Sequence, residues 1–394
     1  MNKFLEGFKK GFRPIAIFAH NINKKPGFKS FFAGLISVLL GLLCGFLVML
    51  ILSPEHAGAG LWTLLSTGFS TPQLFGRAVY QATPMILSGL AIAFAFKLNL
   101  FNIGITGQVT IGAFSSICCG LAGANWFVCM LVGALTGAAA GFIPGFLKAK
   151  FNVNEVLSGI MLNWIIYYII GLIGRLALPG SFKDVATPSE LRMIPADARM
   201  PSLGIPNMEG ISVGLIIAII IVIVVFIVLN KTTFGFELQM AGRNKEASKY
   251  AGVSQTKSTI LALTISGALA GLCGYMLYAE PGTPTKFVWD SSANTLLADG
   301  FNGISVSLIA QNSPLGCIFS SLLLTLISAA QNSLKTVSDG AYNIHYTELI
   351  KNVVIYLAAL SSFFIYLMNK INARNENIPY FNRDKKLIEN KGVK

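Results

Sequence analysis

Two stretches of this chain, Phe31–Leu52 and Ile211–Leu229, run on with almost no polar side chains. Each is long enough, as a helix, to cross a hydrocarbon core of about 30 Å. A segment with no water around it must satisfy its own backbone, which within one continuous stretch only a helix does. Composition points the same way: 12% of residues are charged, 54% are hydrophobic and the mean hydropathy is +0.64, so a polar coat cannot be built. The expected fold class is all-α, a polytopic transmembrane helical bundle.

The first run could imitate a signal peptide, because it follows a basic segment and precedes Ala57-Gly58-Ala59. Its apolar core exceeds the roughly 7 to 15 residues of a signal peptide, so a retained helix is expected.

Nine runs read directly as spans: 31–52, 78–96, 101–123, 126–147, 157–178, 211–229, 258–278, 315–334 and 348–368. Charge tests that number, because Lys and Arg collect on the cytoplasmic side of short loops. Residues 1–30 carry seven, 369–394 carry seven, and the loop 230–257 carries five, whereas 179–210 balances its bases with acids. Both termini and the 230–257 loop therefore belong inside, and the number of crossings must be even. The polar segment 293–310, with Thr295, Asp299, Asn302, Ser305 and Ser307, is the best tenth crossing. Such a segment must be shielded by neighbours or line a cavity. The organisation read here is a basic cytoplasmic segment 1–30, a membrane domain 31–368 and a basic cytoplasmic tail 369–394.

The net charge of +13 is thus topological, set against anionic lipid headgroups, and no nucleic-acid partner is expected. The six cysteines lie inside apolar runs, the three histidines are scattered, and no phosphate-cradling Gly-rich loop ending in Lys occurs. No metal, no cofactor and no catalytic constellation is expected, so the chain does not read as an enzyme. Any ATP use must reside on another chain.

Function should lie where the sequence departs from what a plain span needs. In residues 98–114, Gly104, Gly107 and Gly112 interrupt an apolar stretch that also carries Asn102, Thr106 and Gln108. Interrupted helices expose backbone to substrate in transporters, and small residues equally serve close helix packing; both readings fit. In 152–164, Asn154 and Glu155 suit a helix start, and Asn163, two turns inside, needs a partner or a water-filled path. In 235–257, Asn244 is a good N-cap, Glu246 sits in the first turn, Lys249 in the last, and Gly252 can end the helix in the left-handed conformation. Ala247, Tyr250 and Ala251 fall on one face of this short helix, forming an apolar knob for a groove in another protein or for the membrane surface. In 300–316, Gly300, Gly303, Pro314 and Gly316 bracket the polar crossing.

FNIGITGQ (101–108), NEVLSGIMLNW (154–164), AGRNKEASKYAGV (241–253) with SGALAGL (266–272), and GFNGISVSLIAQNSPLG (300–316) occur here in one order. In that order and spacing the chain resembles the permease subunits of ATP-binding-cassette importers for branched-chain amino acids, ribose-type sugars and nucleosides. It is most similar to the longer permease of bacterial simple-sugar and nucleoside importers, with its basic amino-terminal segment and long outer loop after the fifth span. The resemblance implies a multi-pass protein of the bacterial cell membrane and a cargo of nucleosides, or alternatively of ribose-type sugars or branched-chain amino acids. It implies a coupling helix, Gly242, Arg243, Asn244, Glu246, Ala247, Tyr250, Ala251 and Gly252, seated on an ABC ATPase subunit. A second homologous permease, in a heterodimer, and an extracytoplasmic solute-binding lipoprotein would complete the importer. Asn102, Gly104, Thr106, Gly107, Gln108, Asn163, Asp299 and Asn302 would lie along the translocation path. The chain departs from the family pattern in carrying Lys245 where proline is common, Ser248 where alanine is common, and Thr106 where many relatives have glutamate. An ion-coupled secondary transporter is the rival class, but it calls for buried charges, and Asp299 is the only carboxylate set well into an expected span.

Overall fold

The structure is a computed structural model that describes residues 26–208, 210–281, 286–290, 297, 299–337, 344–360, 363 and 366. The basic segment up to residue 25, the tail 369–394 and Thr295 lie outside the described residues. The described chain is helical: α1 Pro26–Leu52, α2 Pro54–Ser70, α3 Pro72–Phe96, α4 Ile105–Leu121, α5 Trp126–Phe151, α6 Glu155–Leu176 and α7 Val213–Lys231. There follow α8 Thr233–Arg243, α9 Lys245–Tyr250, α10 Gln255–Ala279, α11 Asp299–Ile309, α12 Pro314–Ala329, α13 Gln331–Val337 and α14 Ile344–Ala359. Among these, seven stretches are long and apolar enough to span a membrane, namely α1, α3, α5, α6, α7, α10 and α12 continued through α13.

The chain divides into two compact units, Met1–Gly45 with Asn352–Lys394, and Phe46–Lys351. In the first, Gly41 of α1 lets α14 approach so closely that a Cβ there would stand 2.6 Å from Val354 Cγ2. The second holds everything described below.

Its centre is α3, α4, α5 and α10. Buried residues fill most of α3 and α10, whereas α7 buries only Gly214, Ala218, Val222, Val225 and Leu229, a single stripe at helical spacing. The other face of α7 exposes Ile216, Ile220, Ile223, Val224 and Ile227. A helix apolar on both faces with one face uncovered is built for lipid. Hydrophobic contact cannot drive helix association in that solvent, so close backbone approach does. Gly133, Gly137 and Gly141 of α5 form a smooth strip against Gly267 and Gly271 of α10: a Cβ on Gly137 would stand 2.3 Å from the Gly267 carbonyl, and one on Gly271 2.0 Å from that of Gly133. Gly112 of α4 closes on Gly271 in the same way.

Several elements differ from the sequence-based expectation. Helix α2 fills a stretch expected to be loop, its start set by Pro54 at the first helical position and Glu55 in the first turn. Helix α3 begins six residues before Ala78, where the Thr71 hydroxyl accepts from Leu74 N–H. Helix α4 begins at Ile105 rather than 101, leaving 98–104 non-helical, and continues unbroken through Gly107 and Gly112. The described helix of the polar crossing begins at Asp299 and has 11 residues, about 16 Å, half a bilayer core.

Candidate functional site

The non-helical stretch 98–104 enters the bundle beside α10. Asn102, 3% exposed, donates from Nδ2 to Gln108 Oε1 at 2.8 Å and to Ser266 Oγ at 2.9 Å, and Ser266 Oγ donates to the Ala91 carbonyl at 2.7 Å. One amide thus joins the unwound stretch to α4, α10 and α3. Asn163 of α6 completes the brace: its Nδ2 donates to the Ile103 carbonyl at 3.0 Å, and its Oδ1 accepts from Gly107 N–H at 2.8 Å. Glycine is required at 107, where a Cβ would stand 2.7 Å from Asn163 Oδ1 and 2.9 Å from Asn163 Cα, and position 104 is tight, with a Cβ 3.2 Å from Gly159 Cα.

Helix α11 starts against α4. A Cβ on Gly300 would lie 2.6 Å from Thr106 Cα, and Ser88 Oγ of α3 donates to the carbonyls of Asp299 and Gly300 at 3.3 and 3.2 Å. Asn302 Nδ2 lies 3.5 Å from Asp299 Oδ1. Thr106 is fully buried, and its Oγ1 has no hydrogen-bond partner. The structure therefore brings Asn102, Gly104, Thr106, Gly107, Gln108 and Asn163 into one buried polar seam, and it sets Asp299 and Asn302 at a helix start touching that seam.

Below it, Asn244 caps α9 by accepting from Ala247 N–H at 3.0 Å, Glu246 and Lys249 occupy the first and last turns, and Gly252 takes φ +81°. Ser248 is the side chain of this helix turned inward, with Oγ donating to the Lys245 carbonyl. Ala247, Ala251 and above all Tyr250, 92% exposed, face outward. Sequence reasoning missed α8, which holds α9 in place; the Thr232 hydroxyl accepts from Gly235 N–H at 3.2 Å to start it. Gly242 at its end lies against the Lys97 carbonyl, and Asn99 Nδ2 donates to the Gly242 carbonyl. Burial lowers the Lys97 pKa here. A groove of ≈ 250 Å³ opens beside this junction, lined by Lys148, Lys150, Lys245 and Gln255 among others.

At the opposite end the loop after α6 clasps residues 286–290. Leu191 N–H donates to the Phe287 carbonyl at 2.8 Å, and Trp289 N–H to that of Ser189 at 3.0 Å. Trp289 packs on Gly174, where a Cβ would stand 2.0 Å from its ring, and Lys183 Nζ lies 4.9 Å from the ring centre. Two ion pairs fasten the clasp, Lys286–Asp184 at 2.8 Å and Arg175–Asp290 at 2.9 Å. The Lys286 hydrogen bond lowers the Asp184 pKa and reciprocally raises that of Lys286. Under the clasp, Phe287 meets Phe114 and Tyr278 at ring separations of 5.8 and 5.5 Å. Glu280, also missed in the sequence reading, is 2% exposed at the start of α7, where a Cβ on Gly214 would stand 2.4 Å from its Oε1. Among the described residues no three His, Cys, Asp or Glu side chains gather to hold a metal ion.

Residues 74–368 match the family described as branched-chain amino acid transport system / permease component. The guanosine ABC transporter permease protein NupP of Bacillus subtilis is 32% identical over 349 residues, covering 87% of this chain and 97% of the relative. The nucleoside ABC transporter permease protein NupB of Lactococcus lactis is 31% identical over 323 residues, 78% of this chain and 84% of the relative. A second Bacillus subtilis permease for guanosine, NupQ, is 25% identical over 249 residues, 61% of this chain and 76% of the relative, so homologues of this chain occur as paired permeases. No solved structure matches.

Proposed function

This chain belongs to the branched-chain amino acid transport system / permease component family, and from that premise we propose that it is the membrane permease subunit of a binding-protein-dependent ABC importer for nucleosides. The observation that carries the reading is the match to a guanosine permease over 97% of that relative's length. The permease forms the path, a separate ATPase supplies the energy, a second homologous permease completes a heterodimer, and an extracytoplasmic lipoprotein delivers the cargo.

The crossings are ten: α1, α3, α4, α5, α6, α7, α10, the passage ending in α11, α12 with α13, and α14, with both termini cytoplasmic. The passage to α11 is supported by its two ends, Asp290 paired with Arg175 at the clasp and Ile309 eleven residues into α11. Helices α8 and α9 are the coupling element. The exposure of Tyr250 and Ala251 suits a groove in the ATPase, and the Gly242–Lys97 contact makes the unwound 98–104 stretch the first part of the path to feel a push. The buried seam then divides the closed path between the coupling end and the clasped end, and alternation amounts to biasing two arrangements of these packed elements.

Uptake of radiolabelled guanosine into vesicles carrying both permeases and the binding protein, with and without the cognate ATPase, tests the reading. ATP-dependent uptake is expected only with the ATPase. Uptake on an ion gradient alone sinks it. Replacing Tyr250 and Ala251 by Asp should abolish ATPase co-purification by tenfold or more while leaving membrane insertion intact, since a carboxylate in an apolar groove costs several kcal/mol.

A further inference from the structure

Thr106 Oγ1 is buried at 0% exposure without a hydrogen-bond partner, and a buried hydroxyl left unsatisfied calls for an explanation in function. Its surroundings supply one. Thr106 is the second residue of α4, a 17-residue helix, and it touches Gly300, the second residue of α11, an 11-residue helix. The first turn of α4 and the first described turn of α11 therefore meet at one point, where the positive end of the α4 dipole favours electron-rich oxygen atoms. Asp299 adds a carboxylate at the same helix start, a strong acceptor for hydroxyl protons. One turn along α4, about 6 Å away, Thr110 lines a narrow cleft with Tyr167, Phe287, Trp289 and Leu297. That cleft now offers ≈ 10 Å³, room for about one water, so the site is collapsed in this arrangement.

Donors and acceptors for hydroxyls on one side, flat aromatic faces a helical turn away on the other, match a molecule with a polyol at one end and a planar ring at the other. We propose that the junction of α4 and α11 at Thr106, Gly300 and Asp299 is the subsite that takes the ribose hydroxyls of a nucleoside, with Phe287 and Tyr167 meeting its base. This rests on the nucleoside-importer reading above and gives it a place in the chain. The hydroxyl of Thr106 is unpartnered here because its partner is the cargo, present only when the cleft opens.

The complete importer in proteoliposomes provides the test, with KM measured for inosine and for dideoxyinosine. The binding protein's own preference is common to every variant, so a change in the ratio of the two KM values reports the permease. T106V should lower the wild-type preference for inosine about tenfold, the worth of one hydrogen bond to a buried group, while T106S keeps it. T106A reads the same ratio should T106V fail to assemble. A preference unchanged in the Val and Ala variants while uptake persists overturns the subsite and leaves the importer standing. A wild-type complex that moves no nucleoside overturns the importer reading, and the subsite with it.

Discussion

Asn99 holds its backbone in the left-handed region, at φ 55°, and from there donates its side-chain amide to the Gly242 carbonyl 143 residues away. The bond ties the end of α8, which leads into α9, to the stretch that runs on to Asn102. Gly242 itself has no room for a side chain, because a Cβ would stand 2.3 Å from the Lys97 carbonyl. On the proposed reading of α9 as the coupling helix, its movement would pass through this backbone contact and one amide. N99A should weaken that link by about 1 kcal/mol, roughly a fivefold loss of transport per ATP hydrolysed, and G242A should cost more because backbone must shift. Basal ATP hydrolysis should persist in both. Parallel assays of hydrolysis and uptake check this, and a variant with both rates lowered equally would show a defect of assembly instead of coupling.

The strip of glycines between α5 and α10 makes a second prediction, sharpened by a control. G137A places a methyl 2.3 Å from the Gly267 carbonyl, backbone that cannot swing away, and overpacking of this kind costs about 1–3 kcal/mol. Gly58 in α2 has nothing within 4 Å of its would-be Cβ, so G58A should be neutral or stabilising by up to about 1 kcal/mol. Thermal denaturation of the detergent-solubilised protein measures both. Equal melting temperatures for the two variants would remove the glycine strip as a packing device.

Helix α9 was legible because its signals are local: an Asn244 cap, charges matched to the helix dipole and a terminating Gly252 all lie within nine residues, and each is in place. The helical class was legible because the period and length of apolar runs are read without knowing any partner. Helix α2 was not, since Gly58, Gly60 and Gly68 dilute its hydropathy and its start rests on Pro54 and Glu55 alone. The partners of Asn163 lie at Ile103 and Gly107, some 60 residues away, and no local rule names them. The clasp is of the same kind, because only the folded chain sets Trp289 on Gly174. The glycine strip Gly133, Gly137, Gly141 stands in the sequence at a spacing of four, but its partners Gly267 and Gly271 are more than 120 residues away and only the folded chain brings them together.

Glu280 carries the last prediction. Burial pushes its carboxyl up to about 7 from the ordinary 4.5, against a smaller opposite pull from the Ser212 hydroxyl. In the folded protein it therefore keeps its proton over a range in which the unfolded chain has already released it. The folded state binds more protons there, so stability must fall as pH rises from 4.5 to about 7 and level off above that. At 1.36 kcal/mol per pH unit the whole interval amounts to about 3 kcal/mol at most. E280Q, which mimics the protonated form at every pH, should lose that slope and melt higher than wild type at pH 8, while matching it near pH 4.5. Melting curves of the two proteins across this range decide the matter, and an E280Q variant that keeps the wild-type slope would assign the pH dependence to another group.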